Sequence, residues 1–181
     1  MDSGADCYRR FLDGDDDGIV CVIRDYKDGL ILFLDRYVNN IYAAEELAED
    51  VFFKLVTKKP RFTGKYSFKT WLYTIGRNAA INHLRRNTAA QLPSDEALSD
   101  GKLLEREYLR TERRLAVHAA LGRINPDYSR VLHLIYFEDM DNEQAAHVMG
   151  KSKRQLENLV YRAKQALRSE IMREGFSYED L

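Results

Sequence analysis

Apolar residues recur at helical spacing through almost the whole chain, and that repeat leaves an all-α fold as the reading. The clearest case runs from Ile41 to Val56, where Ala44, Leu47, Ala48, Val51, Phe52 and Leu55 fall on one side. Short helices are expected over about 4–12 and 18–25, and a longer one over 28–40. The stretch "KKPRFTGKYS" breaks the repeat with Pro60 and Gly64. Ser67 then offers an N-cap for a helix running through "FKTWLYTIGRNAAINHLRR" to about Asn87. Three prolines and ten glycines in 181 residues agree with a mostly helical chain.

The segment "NTAAQLPSDEALSDG" is small, polar and without periodicity, which reads as a flexible linker. A linker of that length holds its ends roughly 20 Å apart on average. Two helical domains are therefore expected: 1–88, then a linker over 89–102, then 103–174 with a tail over 175–181. In the second domain one helix is expected over 103–122, and another from Asn125-Pro126 to Phe137. Two short units with matching start signals follow. "DNEQAAHVMG" has Asp141 as N-cap, Gln144 at the capping-box position and Gly150 as terminator. "SKRQLENLVYRAKQAL" repeats the signal with Ser152 and Gln155, and puts Leu156, Val160, Ala163 and Leu167 on its inner stripe. Helix, glycine-containing turn, helix is helix-turn-helix spacing.

Near the N-terminus, "DGDDDG" (Asp13 to Gly18) opens like a calcium-binding loop, but the position that needs a bidentate Glu is Arg24. The stretch reads instead as an acidic turn capping the next helix. Cys7 and Cys21 form no C-x-x-C pair, so reduced thiols are expected in a cytoplasmic protein. No apolar run reaches a membrane span and no signal peptide is evident, so no membrane insertion is expected.

The net charge of −1 conceals a strong polarity. Residues 1–50 hold thirteen Asp/Glu against five Lys/Arg, whereas residues 51–94 hold nine Lys/Arg and no acid. A basic block interleaved with aromatics points to an anionic partner such as nucleic acid. Phe62, Tyr66, Trp71 and Tyr73 offer faces for base stacking, with Phe68, Leu72, Ile75 and Trp71 aimed inward by helical winding. Lys58, Lys59, Arg61, Lys65, Lys69, Arg77, Arg85 and Arg86 can meet phosphates, and Asn78 and Asn82 can bond base edges. "RFTGKYS" suits a pocket for an extruded base. On the 41–56 helix, Glu46, Glu49 and Asp50 surround Phe53 opposite the core stripe. That aromatic either packs on a neighbouring helix or belongs to a docking face for a basic protein. In the last helix and the turn before it, Lys151, Lys153, Arg154, Arg162, Lys164 and Arg168 oppose the single acid Glu157, and its first turn suits the major groove. Enzyme readings lack residues: His83, His118, His133 and His147 form no metal-ligand pair, and no phosphate-cradling glycine loop or nucleophile elbow is present. No cofactor and no metal are expected.

"AAEELAEDVFFKLVTKKPRFTGKYSFKTWLYTIGRNAAINHLRR" closely resembles region two of bacterial RNA polymerase sigma factors of the extracytoplasmic-function group. "LGRINPDYSRVLHLIYFEDMDNEQAAHVMGKSKRQLENLVYRAKQAL" resembles their region four. Together they cover about half the chain, in order, across a linker of the right kind. The resemblance implies that Glu46, Glu49 and Asp50, around Phe53, grip the clamp helices of the largest polymerase subunit. It implies that Phe62, Gly64, Lys65, Ser67, Trp71, Thr74, Arg77, Asn78, Asn82 and Arg85 serve the minus-ten element, on the melted non-template strand. Ser152, Lys153, Arg154, Gln155, Glu157, Asn158 and Arg162 then serve the minus-thirty-five element in duplex DNA. Such factors often have an anti-sigma partner. Glu157 and Leu159 stand where the family commonly carries basic residues, and a Glu in the groove accepts from cytosine while repelling phosphates. The alternative is a stand-alone helix-turn-helix regulator that never touches polymerase; a general single-strand binder would not need the helix-turn-helix.

Overall fold

The computed structural model describes residues 2–90 and 119–173, and every regular element among them is helical. The first unit is built from α1 (Ser3–Leu12), α2 (Asp17–Val38), α3 (Ile41–Lys58) and α4 (Phe68–Ala90). The second holds the end of a helix at 119–123, then α5 (Pro126–Leu132), a π-helical turn (His133–Phe137), α6 (Asn142–Met149) and α7 (Lys153–Arg173). The expected linker beyond residue 90, the tail, and most of the helix expected over 103–122 lie outside the described residues.

Local signals fix the helix ends. Asn40 accepts from the Tyr42 and Ala43 amides at the start of α3, and the chain leaves that helix through Lys59 in the left-handed region at φ 43°. Ser67 caps α4: its Oγ accepts from the Thr70 amide at 3.2 Å. Asn125 caps α5 ahead of Pro126. Both capping boxes form. Asp141 Oδ1 accepts from the Gln144 amide while Gln144 Oε1 accepts from Asp141 N, and Ser152 and Gln155 exchange the same pair of bonds. Gly150 turns the chain at φ 63° between α6 and α7.

Three sequence expectations change. The helices expected over 18–25 and 28–40 are one continuous helix, α2, with Gly29 in its interior. A Cβ at Gly29 would stand 2.5 Å from Glu138 Oε1 and 2.6 Å from the Tyr73 hydroxyl, so the glycine makes room for a close approach and marks no break. The helix expected over 126–137 widens after Leu132 into a π turn, closed by Glu138 N donating to His133 O at 3.2 Å. The cysteines expected to be reduced are joined: Cys7 and Cys21 form a disulfide with their Cα atoms 6.0 Å apart. Spacing rules find cysteine pairs that are neighbours in sequence. Here a helical hairpin brings together positions from two different helices. Gly18 permits that crossing, because a Cβ there would fall onto the backbone carbonyl of Cys7.

The acidic turn itself is held by an ion pair, Arg10 Nη2 to Asp15 Oδ2 at 2.6 Å, and Asp15 Oδ1 accepts from the Asp17 amide. The core of the first unit centres on Tyr8, Phe33, Phe68, Leu30, Leu34 and Leu72, all fully buried. The second unit lies against α2 and α4. Arg130 of α5 donates to the Arg36 carbonyl at 3.0 Å and covers the Tyr37 ring at 4.0 Å, while Phe33 meets His133.

Candidate nucleic-acid and partner interfaces

On α3 the inward stripe read from the sequence is buried: Ala44, Leu47, Ala48, Val51, Phe52 and Leu55 all face the core. The opposite face carries Glu46, Glu49 and Asp50, all exposed. Phe53 is 68 % exposed among them, so it packs on no helix among the described residues.

Between α3 and α4 runs a groove of about 310 Å³. Asp50 and Lys54 line one wall; Asn78, Asn82, His83 and Arg86 line the other. Both asparagines are exposed, so their amides are available to a base edge, and Arg85 is exposed beside them. The groove makes the acidic ridge and the polar face of α4 neighbours.

The loop before α4 is backed by aromatics. Phe62 is half-buried and packs on Phe68 at 5.6 Å and Trp71 at 5.4 Å. Gly64 sits at φ 72° in open space, where an L side chain would be strained. Lys65 is exposed, its ammonium 5.5 Å from the Tyr66 ring. Thr74 is half-buried and spends its hydroxyl proton on the Thr70 carbonyl. Phe68 and Leu72 are buried as helical winding implied, whereas Ile75 and Trp71 are half-buried.

Two assignments in the basic block change. Tyr73, read as a stacking face, is fully buried against Phe33 with ring centroids 5.2 Å apart. Lys69, read as a phosphate contact, bonds Glu138 instead. Two other basic-block residues touch the helix-turn-helix: Tyr66 stacks on His147 at 3.9 Å, and the Arg77 guanidinium lies against Gly150.

Residues of α1 and its N-cap that sequence reasoning missed hold this region in place. Asp2 Oδ2 accepts from the Phe68 amide at 2.6 Å, adding a carboxylate to the positive end of α4. The Tyr8 hydroxyl donates to the Pro60 carbonyl at 2.9 Å, and its ring meets Phe68 and Trp71. No local pattern signals a cap supplied from 66 residues away.

A buried polar cluster joins the units. His133 Nε2 lies 3.4 Å and Lys69 Nζ 3.2 Å from the Glu138 carboxylate, with the Tyr73 hydroxyl beside it. Burial pushes the Glu138 carboxyl up, but the His133, Tyr73 and Lys69 contacts outweigh it and hold the group below the ordinary glutamate value. Burial and that carboxylate hold the Tyr73 hydroxyl well above its usual value.

On α7, Ser152, Lys153, Arg154, Gln155, Glu157, Asn158 and Arg162 are all exposed around the buried Leu156 and Ala163. Among the described residues Glu157 has no ion-pair partner. Leu159 is half-buried against the core, which removes it from the groove-facing set.

A helical bundle with an acidic, aromatic-centred ridge, a basic aromatic loop and a helix-turn-helix with an open basic face defines a class of DNA-reading proteins that also dock on a protein. Comparison with known proteins narrows that class. Residues 22–90 match the model of sigma-70 region 2, and residues 114–167 match that of sigma-70 region 4. RNA polymerase sigma factor YlaC of Bacillus subtilis is 28 % identical over 160 residues, which is 86 % of this chain and 92 % of the relative. RNA polymerase sigma-H factor of Pseudomonas aeruginosa is 29 % identical over 166 residues, 85 % of this chain and 86 % of that one. The ECF RNA polymerase sigma factor SigW of Bacillus subtilis is 22 % identical over 170 residues, covering 87 % and 91 %. In fold, CnrH, solved in complex with the cytosolic domain of CnrY, superposes with a TM-score of 0.68 at 18 % identity, over 97 % of this chain and 100 % of that one. The sigma factor RpoE from Bartonella quintana, solved with the anti-sigma factor NepR, gives 0.64 at 19 % identity, over 83 % and 94 %. The chain belongs to the sigma-70 family of RNA polymerase sigma factors, in its extracytoplasmic-function group.

Proposed function

We propose that this sigma factor divides its work among three surfaces. Glu46, Glu49, Asp50 and Phe53 dock on the clamp helices of the largest polymerase subunit. The loop from Phe62 to Ser67, with Trp71, Thr74, Arg77, Asn78, Asn82 and Arg85, captures the melted minus-ten strand. The first turns of α7, from Ser152 to Arg162, read the minus-thirty-five element in the major groove. The docking and minus-ten surfaces belong to a unit over 1–88, and the helix-turn-helix to one over 103–174.

One observation carries the reading: Phe53 is 68 % exposed within an acidic ridge, and a single groove separates that ridge from exposed Asn78 and Asn82. A duplex reader acting alone needs neither the open anchor nor the adjoining amides. Chemistry is left to the polymerase, and the cytoplasm, where polymerase works, is the site of action. An anti-sigma factor belongs among the partners, since RpoE was solved with one.

The deciding experiment mixes the protein with core polymerase and genomic promoter fragments and looks for promoter-dependent transcripts. Transcripts that need both components support the reading. Duplex binding with no effect on polymerase would establish a stand-alone regulator instead.

A further inference from the structure

The Cys7–Cys21 disulfide stands apart from all three surfaces, yet it fastens the helix that supports one of them. Cys7 lies in α1 next to Tyr8, and Cys21 lies in α2. The partners of α1 are the start of α4 and the loop before it: Asp2 on the Phe68 amide, Tyr8 on the Pro60 carbonyl, and the Tyr8 ring on Phe68 and Trp71. A covalent tie between α1 and α2 therefore fixes the backing of the loop 61–67.

The two sulfurs are unequal. Cys7 is buried at 8 % exposure, whereas Cys21 is half-buried. Arg24 Nη2 lies 3.7 Å from Cys21 Sγ, with Asp25 Oδ2 at the same distance. Arg24 is itself paired to Asp25 through Nε at 2.8 Å. The Arg24 and Asp25 charges offset each other at Cys21, so exposure alone makes it the sulfur an external disulfide meets first, with buried Cys7 as the resolving one.

We propose that Cys7 and Cys21 form a thiol–disulfide exchange site whose redox state sets how firmly α1 backs the loop before α4. The co-reactant is a low-molecular-weight disulfide. The Cys21 thiolate attacks one of its sulfurs, forming a mixed disulfide and releasing one thiolate. The Cys7 thiolate then attacks the Cys21 sulfur and releases the second. The protein loses two protons and two electrons, and the external disulfide is reduced to two thiols. Opening a tie that closes a loop of this length raises the frequency of α1 detachment by roughly a hundredfold, provided the tie acts mainly by restricting the detached chain. The consequence for DNA rests on the minus-ten reading of the loop and α4.

The sequence supplies its own reporter, because Trp71 is the one tryptophan and sits against Tyr8. Intact protein is equilibrated with mixtures of oxidised and reduced glutathione, and thiol alkylation is followed together with acrylamide quenching of Trp71. Two thiols are expected to appear on reduction, with quenching rising several-fold in parallel. Cys7→Ser with Cys21→Ser should show the reduced level of quenching at every ratio. Chemical reduction of the unaltered protein, with helicity checked by circular dichroism, gives the same reading without a substitution. Alkylation of both cysteines throughout, or quenching that is identical in the two redox states, would overturn the proposal. Polymerase holoenzyme binding a labelled mixed-sequence single-stranded oligonucleotide completes the test. Quenching that follows redox state while this binding does not upholds the exchange site and removes its coupling to DNA capture.

Discussion

Lys69 Nζ donates to the Glu138 carbonyl at 3.0 Å and stands 3.2 Å from the Glu138 carboxylate, tying α4 to the end of the π turn. This one lysine binds both the backbone and the side chain of the same residue in the other unit. Glu138→Ala should therefore destabilise the protein by about 1–3 kcal/mol, since it removes the buried carboxylate that His133, Tyr73 and Lys69 share. Denaturant unfolding of the variant and the parent measures it, and a change within about 0.5 kcal/mol would show the cluster to be dispensable.

The same carboxylate predicts a pH dependence at the acid end. Its folded-state value lies below the ordinary glutamate value, so its contribution is present above that ordinary value and is lost as pH falls through the lower, folded one. The stability difference between the parent and Glu138→Gln should shrink in acid. At the alkaline end, burial pushes Tyr8 and Tyr26 up to about 12, so their contribution holds below the ordinary value of 10.0 and fades from there to about 12. Melting temperature against pH reads both limits.

Glu49→Lys with Asp50→Lys should weaken binding to core polymerase by an amount equivalent to several kcal/mol while leaving melting temperature unchanged. Both positions are exposed, so the fold has no stake in their charge. Unaltered co-elution with core polymerase at moderate salt would remove α3 from the docking face.

Asn78→Ala should slow promoter opening more than it weakens duplex binding, because the amide reaches a base edge only once the strands have parted. Permanganate probing of melting, on duplex and on pre-melted templates, separates the two. Equal losses on both would speak against this residue as a strand reader.

Arg154→Ala should cost about 1–3 kcal/mol at a cognate site, as a charge-assisted contact in the first turn of α7 is lost. Glu157→Lys should raise affinity for all DNA, blunt discrimination and steepen the salt dependence by about one unit. With no acid–base partner for Glu157 among the described residues, its melting temperature should hold. A flat salt slope would take Glu157 off the DNA surface.

Legibility in the sequence followed the range of the signals. Caps act within three or four residues, so Asp141, Ser152 and Asn125 were readable where they stand. The buried stripe of α3 was readable because its period repeats over four turns. The break expected between 25 and 28 does not occur, and nothing local shows that Gly29, inside the resulting long helix, meets Glu138 more than a hundred residues further on. Tyr73 misled for the same reason: its hydroxyl points to a carboxylate supplied by the other unit, and composition alone placed it with the stacking rings. The disulfide and the Asp2 cap are likewise products of tertiary closeness.

The notch at Gly29 also bears on how this protein exchanges parts with its relatives. It receives the oxygen of Glu138 with no space to spare, and the Tyr73 hydroxyl closes its other side. Lock and key are therefore written in separate halves of one chain. A helix-turn-helix half without an acid at the place of Glu138 would leave the notch as a void lined by Tyr73. A side chain larger than hydrogen at position 29 would turn the acid away. Substitutions confined to the exposed face of α7 leave both the notch and its acid in place.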